Sequence, residues 1–245
     1  MTAGALVDAV SEAGFARVLA IGAHPDDAEY FAGGTLARLA DSGAVLHLVV
    51  CTDGALGGRG IAEVVKVRSG EQAEAARIIG FAARSSLGHP DGALANDESL
   101  RSELALAVRR IRPDLVLTHD PRTLWSNYGG RAHPGHSDHR AAGQATLDAI
   151  YPRAASPNFY TEQLAEPGLE PWYPREVWLF DTAQADLRID ASAGFARKLD
   201  ALRAHQSQNR DDGLVRGARS LGESEPFVRL VLRGAKRASP PAERS

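Results

Sequence analysis

Alternation of strand-like and helix-like stretches predicts an α/β fold built on a mostly parallel sheet, and three observations carry that reading. Short apolar runs recur through the chain, the stretches between them have helical spacing, and Gly, Pro or Asp residues sit where one type gives way to the other. Residues 17–22 form the first buried strand and 33–39 a short helix. Residues 44–50 follow as a second strand rich in β-branched side chains, broken by Thr52-Asp53-Gly54. Residues 63–79 are helical, with Val64, Val67, Ala75, Ile78 and Ile79 at compatible spacing and Gly80 as the stop. A short strand is predicted over 85–87, a helix over 96–111 closed by Arg112-Pro113, a strand over 114–118 and a helix over 137–150. Residues 151–174, rich in Pro and aromatics without a clear period, form a loop-rich excursion rather than a linker. A strand over 176–181 and a helix over 191–205 complete the pattern, and 238–245 is expected to fray.

A chain of 245 residues with 44% hydrophobic and 24% charged residues fits one domain spanning 1–245. The formal charge of −3 and the lack of any basic run argue against a nucleic-acid partner. A single cysteine, Cys51, excludes an internal disulfide framework. The N-terminus has neither a basic segment nor a continuous apolar one, so a cytoplasmic enzyme is expected, and no stretch reaches the ~20 apolar residues of a membrane span.

Two polar clusters stand out. His24-Pro25-Asp26-Asp27-Ala28-Glu29 follows the first strand, and His133-Pro134-Gly135-His136-Ser137-Asp138-His139 holds three of the eight histidines. In open α/β sheets ligands bind outside the carboxyl ends of strands where the strand order reverses, so the clusters face each other if the 17–22 and 114–118 strands are neighbours. Zinc takes His nitrogen and carboxylate oxygen, and catalytic sites keep three protein ligands and an open position. His24, Asp27 and one downstream histidine supply that set. Asp26, directed elsewhere by the intervening turn, is left as a base that takes a proton from water acidified by the metal. The downstream histidines allow two registers, 133/136 and 136/139. The second is preferred because it brackets Asp138, which then supports a ligand without binding metal, and sets His139 at a helix start.

These residues resemble the PIG-L/LmbE-like deacetylases, zinc-dependent hydrolases of N-acetylglucosamine-containing molecules. His24-Pro25-Asp26-Asp27-Ala28-Glu29 is similar to the first family signature, and His136-Ser137-Asp138-His139-Arg140-Ala141 to the second, with Ser137 where proline is usual. Thr52-Asp53-Gly54, Arg68 with Glu71, Leu87-Gly88-His89-Pro90-Asp91-Gly92, Arg112-Pro113-Asp114 and the 202–208 segment agree in order. The resemblance implies a Rossmann-like three-layer sandwich and zinc on His24, Asp27 and His139. It also implies Asp26 as general base, His136 as acid or oxyanion stabiliser, and sugar hydroxyls on Arg68 and Asp91. Zn2+ is the expected cofactor, with Fe2+ suited to the same donors. The partner is a small sugar or glycoconjugate, and a homo-oligomer is compatible with the sequence.

Simpler readings exist for several of these residues. His24 and Asp27 also fit a helix cap, Arg68 an i,i+3 pair with Glu71, His133 a loop, and Cys51 a buried thiol, while His119 and Asp120, at a strand end near the site, fit a supporting role there and a plain turn at His119-Asp120-Pro121 equally. Glu29 fits a bond to loop backbone or to His24. The alternative enzyme is an amidase on a sugar–thiol or natural-product conjugate. A dehydrogenase is disfavoured because Gly22-Ala23-His24-Pro25 replaces the glycine-rich phosphate loop, and a metal-storage protein has no use for Asp26. Trp125, Tyr128, Tyr151, Phe159, Tyr160, Trp172 and Tyr173 fit either substrate walls or a packed flap.

Overall fold

A computed structural model describes residues 14–58, 60–128 and 131–232. Its central sheet has the order β3-β2-β1-β4-β7-β9-β8, formed by β1 (Arg17–Gly22), β2 (Val45–Thr52), β3 (Phe81–His89), β4 (Leu115–His119), β7 (Glu176–Phe180), β8 (Leu187–Asp190) and β9 (Ser224–Val231). The first five strands in that order pair in parallel, and β9 runs antiparallel to both β7 and β8. Strands buried on both faces read as continuous apolar runs, which is why β1, β2, β4 and β7 are visible in sequence.

Side chains alternate between two cores. Val18, Leu46, Leu48, Leu115, Leu117, Trp178 and Phe180 face α1 (Asp27–Asp41), α2 (Val64–Ile79) and α5 (Ser192–Ala204), through Leu36, Leu39, Ile79 and Ala201. Leu19, Ile21, Val49, Cys51, Val116, Val177 and Leu179 face α3 (Glu98–Ile111) and α4 (Ser137–Asp148), through Leu100, Leu104, Val108, Ala142 and Ala145. The result is the expected three-layer α/β sandwich. Cutting a fully buried leucine such as Leu46 to alanine costs about 2–5 kcal/mol in cores of this kind.

The departures from expectation are local. α1 starts at Asp27 rather than 33, with Gly34 in its interior. A Cβ on Gly34 would stand 2.7 Å from Ala191 Cβ, so the glycine that weakens the helical signal is what lets the start of α5 approach α1. β3 spans nine residues, but most are exposed at the sheet edge, and only a fragment carries an apolar signal. The hairpin β5 (Trp125–Tyr128)/β6 (Arg131–Pro134), strands β8 and β9, and α6 (Gly213–Leu221) were not anticipated. α4 ends at Asp148, and Tyr151 turns extended before Pro152, as the proline ring requires. Apart from the turn Gln163–Ala165, the 157–174 segment is irregular, and its Tyr160, Trp172 and Tyr173 pack on the α3–α4 core, which makes them part of the scaffold. The 238–245 tail lies outside the described residues. No helix among the described residues is long and apolar enough to cross a membrane.

Candidate metal centre and active site

β1 and β4 are hydrogen-bonded neighbours, while the chain leaves β1 for β2 on the opposite side. This is the point where strand order reverses, and both polar clusters meet there. His24 follows β1, His119 ends β4, and His136 and His139 sit at the start of α4. Gly143 permits the last placement: a Cβ there would lie 2.3 Å from the His119 carbonyl oxygen, so any other residue would push α4 off β4.

Asp27 is the hub. Its Oδ2 lies 3.0 Å from His119 Nε2 and 3.6 Å from His24 Nδ1, and its Oδ1 lies 3.3 Å from His139 Nε2. Other carboxylates hold the outer edges of two of these rings. His24 Nε2 faces Asp138 Oδ2 at 3.3 Å and Asp91 Oδ1 at 3.2 Å, and His139 Nδ1 faces Asp181 Oδ2 at 3.1 Å. The inner nitrogens, His24 Nδ1 and His139 Nε2, are thereby turned toward Asp27, the arrangement by which metal-binding histidines are usually oriented.

Three groups of donors have atoms all within 4.8 Å of one another: His24/His136/His139, Asp27/His119/His139 and His24/Asp91/Asp138. Imidazole nitrogens and carboxylate oxygens at this spacing fit a zinc-like divalent cation. The expected set of His24, Asp27 and His139 straddles the first two groups, and among the described residues it does not form a compact group of its own. For His119 the sequence leaves a supporting place at the site and a plain turn open equally, and it singles out nothing at Asp181. Both are carboxyl-end residues of adjacent strands, a position that marks candidates in this fold class.

The electrostatics follow the geometry. Burial alone would raise the Asp27 carboxyl, but the His139 and His119 imidazoles hold it well below the usual range. Burial would lower His139, and Asp27 and Asp181 instead raise it to about 10. Asp26 behaves differently. Burial lifts it to about 8, with the neighbouring Asp27 charge adding and Arg68 opposing. It adopts φ 110°, a left-handed conformation that costs a non-glycine residue on the order of 1–3 kcal/mol.

Arg68 is buried on α2 and donates to the Gly54 and Pro25 carbonyls at 2.9 and 2.8 Å. Its Nη2 lies 3.5 Å from Asp26 Oδ2, and its Nη1 3.8 Å from Asp91 Oδ2. Glu71, the partner in the simpler reading of Arg68, instead accepts from the backbone and hydroxyl of Ser207. Asp138 accepts from the Gly92 and Leu94 amides at 2.7 and 3.3 Å, tying the Asp91 loop to α4. His136 caps α4, with Nδ1 accepting from the Asp138 amide at 3.2 Å. That bond requires Nδ1 unprotonated and leaves Nε2 to carry the proton. His133 lies on β6 with its side chain exposed and belongs to none of the three donor groups. Cys51 is fully buried, and burial pushes its thiol up, which suits packing rather than nucleophilic attack.

Residues 19–150 match the family described as PIG-L, GlcNAc-PI de-N-acetylase. The chain belongs to the PIG-L family. Among PIG-L relatives, the diacetylchitobiose deacetylase of Thermococcus kodakarensis is 33% identical, over 80% of this chain and 71% of its own. The 1D-myo-inositol 2-acetamido-2-deoxy-alpha-D-glucopyranoside deacetylase of Rhodococcus erythropolis is 30% identical, over 78% of this chain and 81% of its own. Of solved structures, N,N'-diacetylchitobiose deacetylase from Pyrococcus horikoshii superposes with a TM-score of 0.77 at 27% identity, covering 89% of this chain and 85% of that one. The 4-carboxy-2-hydroxymuconate hydratase GalB of Pseudomonas putida, at 21% identity and a TM-score of 0.66, shares the fold alone. PIG-L architecture thus also carries a hydratase, and function has to be read from the site.

Proposed function

We propose that this chain is a metal-dependent hydrolase that removes the acetyl group from the amide of an N-acetylglucosamine-type sugar or glycoconjugate. The observation that carries the reading is the division of labour in adjacent residues: Asp27 is enclosed by histidines, while Asp26 is turned away from them toward Arg68. His24, Asp27 and His139 are the residues assigned to the metal, zinc by donor type, with ferrous iron suited to the same set. The bound metal supplies Lewis acidity and lowers the pKa of water.

The chain's own groups do the rest. Asp26 takes the proton of the attacking water, and that proton returns to the amine nitrogen as its C–N bond breaks and acetate and the free amine leave. His136, with the tautomer set by its cap bond, presents Nε2–H to the oxyanion that develops on the carbonyl. Asp138 and Asp181 keep His24 and His139 from rotating. Arg68 as donor and Asp91 as acceptor suit neighbouring sugar hydroxyls, and their approach to 3.8 Å supports assigning both to the same part of the substrate. The function is assigned to one domain over 1–245, a reading supported by the seven strands, from β1 at residue 17 to β9 at residue 231, that share the central sheet. An amide on a related sugar–thiol or natural-product conjugate suits the same cleft, but the GlcNAc-type relatives do not favour it.

The test is amine release from N-acetylglucosamine and N,N'-diacetylchitobiose by the purified protein. Release that stops with a chelator and returns with zinc is expected. No release from either sugar or from larger N-acetylglucosamine conjugates by the metal-loaded protein would sink the proposal.

A further inference from the structure

Asp26 starts α1 in a conformation that glycine adopts freely and aspartate does not, and no side chain caps that helix start. Something outside the segment has to hold it. The peptide between Pro25 and Asp26 is gripped at both edges by α2. Arg68 Nη2 donates to the Pro25 carbonyl at 2.8 Å, and Gln72 Oε1 accepts from the Asp26 amide at 3.0 Å. Residues 68 and 72 are one helical turn apart and share a face, so a single rigid element fixes this peptide plane, and with the Asp26 carbonyl held by the Tyr30 amide at 2.9 Å the φ of Asp26 is set between two elements.

Gln72 is itself fixed. Its Nε2 donates to Glu29 Oε1 at 2.5 Å, and both residues are buried. The amide has to accept at one end, from a backbone N–H, and donate at the other, to a carboxylate. Only glutamine of this length offers both, and the two ends determine which way its amide points. Neither Gln72 nor Glu29 has a part in the chemistry described above.

We propose that Gln72, oriented by Glu29, is a positioning residue that holds the Asp26 backbone in its left-handed conformation and so keeps the Asp26 carboxylate off the metal-binding donors. The inference rests on Asp26 being the base. Gln72 touches no substrate and acts only through Asp26.

The test uses the full chain loaded with zinc. Gln72→Met keeps the volume and removes both hydrogen bonds. It is expected to lower kcat about ten-fold or more through misplacement of the base, with KM within about two-fold and metal content unchanged. The Asp26 amide, followed by hydrogen exchange without substrate, should exchange faster than in the native chain. Gln72→Glu puts a carboxylate against Glu29 and should also impair kcat. Adding Glu29→Gln rebuilds the pair with donor and acceptor exchanged and should recover most of it. If Gln72→Met does not fold, this exchange carries the test. Native kcat in Gln72→Met, a loss that merely tracks lost metal, unchanged exchange at Asp26, or a double variant no better than Gln72→Glu would each overturn the proposal. The underlying reading fails separately: Asp26→Asn with full turnover removes the base assignment, while exchange at the Asp26 amide still reports whether Gln72 holds it.

Discussion

Arg109 and Arg68 are both buried on helices, on opposite faces of the sheet, and they use their guanidinium groups in different ways. Arg109 directs its nitrogens to neutral acceptors. The carbonyls of Arg153, Ser156, Phe159 and Tyr160 accept at 2.8, 2.9, 2.8 and 3.2 Å, and Gln163 Oε1 accepts at 2.9 Å. These bonds replace the missing secondary structure of the 151–174 excursion. Arg68 satisfies two carbonyls and keeps part of its charge for two carboxylates, Asp26 and Asp91. Burial of a cation is common to both. What separates scaffold from site is the partner: backbone carbonyls from one loop in the first case, carboxylates converging from different elements in the second.

The comparison makes graded predictions. Arg109→Met strands buried carbonyls, and at about 1–3 kcal/mol for each group left unsatisfied the loss of stability should be about 3–5 kcal/mol. Denaturant unfolding should show it, with Tm lower by roughly 10 °C and turnover per folded molecule preserved. Loss of turnover in the folded fraction would erase the distinction. Arg68→Lys should act mainly on turnover. An ammonium cannot span two carbonyls and two carboxylates as a guanidinium does, so kcat/KM should fall about 100-fold, with about 1–3 kcal/mol of stability lost for a buried group left without its partner. A variant with native kinetics would make Arg68 a second scaffold residue.

Asp181 occupies an intermediate place, against His139 at 3.1 Å and His119 at 3.9 Å. Asp181→Asn is expected to weaken metal affinity by about 10–100-fold, measured by competition with a chelator, with little change in KM at saturating metal. The smallest effect belongs to a purely structural group. Burial would raise the Glu176 carboxyl, but hydrogen bonds from Arg229 and Trp178 outweigh it and hold the group low. A carboxyl depressed in the folded state contributes stability above its unfolded value near 4.5 and loses it as pH falls through the folded value. Arg229→Met should therefore flatten the acid side of the stability profile below pH about 4.5. The change should stay under about 1 kcal/mol, because Arg229 is partly exposed. A flattening on the alkaline side would contradict the assignment.

The sequence shows those parts of the molecule whose physics is local. β1, β2, β4 and β7 are buried on both faces and announce themselves as apolar runs. β3 at the exposed edge and the short strand β8 do not. In the site, His24, Asp26, Asp27, His136 and His139 lie in dense motifs, and the resemblance assigns them roles. Asp181 and His119 are single residues far apart in the chain, and only the pairing of β4 with β7 brings them together. Gln72 has no motif at all. Its significance comes from one peptide bond on another element, which the sequence of α2 cannot reveal. Arg109 was hidden for the same reason: its partners are backbone carbonyls and one side-chain amide of the 151–174 excursion.

The central claim is that neighbouring aspartates do different work, and metal content compared with turnover in two variants tests it most directly. Asp26→Asn is expected to keep about one metal per chain while kcat falls by about 10²–10⁴, as for loss of a general base. Asp27→Asn is expected to lose both metal and turnover. Metal lost from Asp26→Asn, or retained at full affinity by Asp27→Asn, would contradict the account.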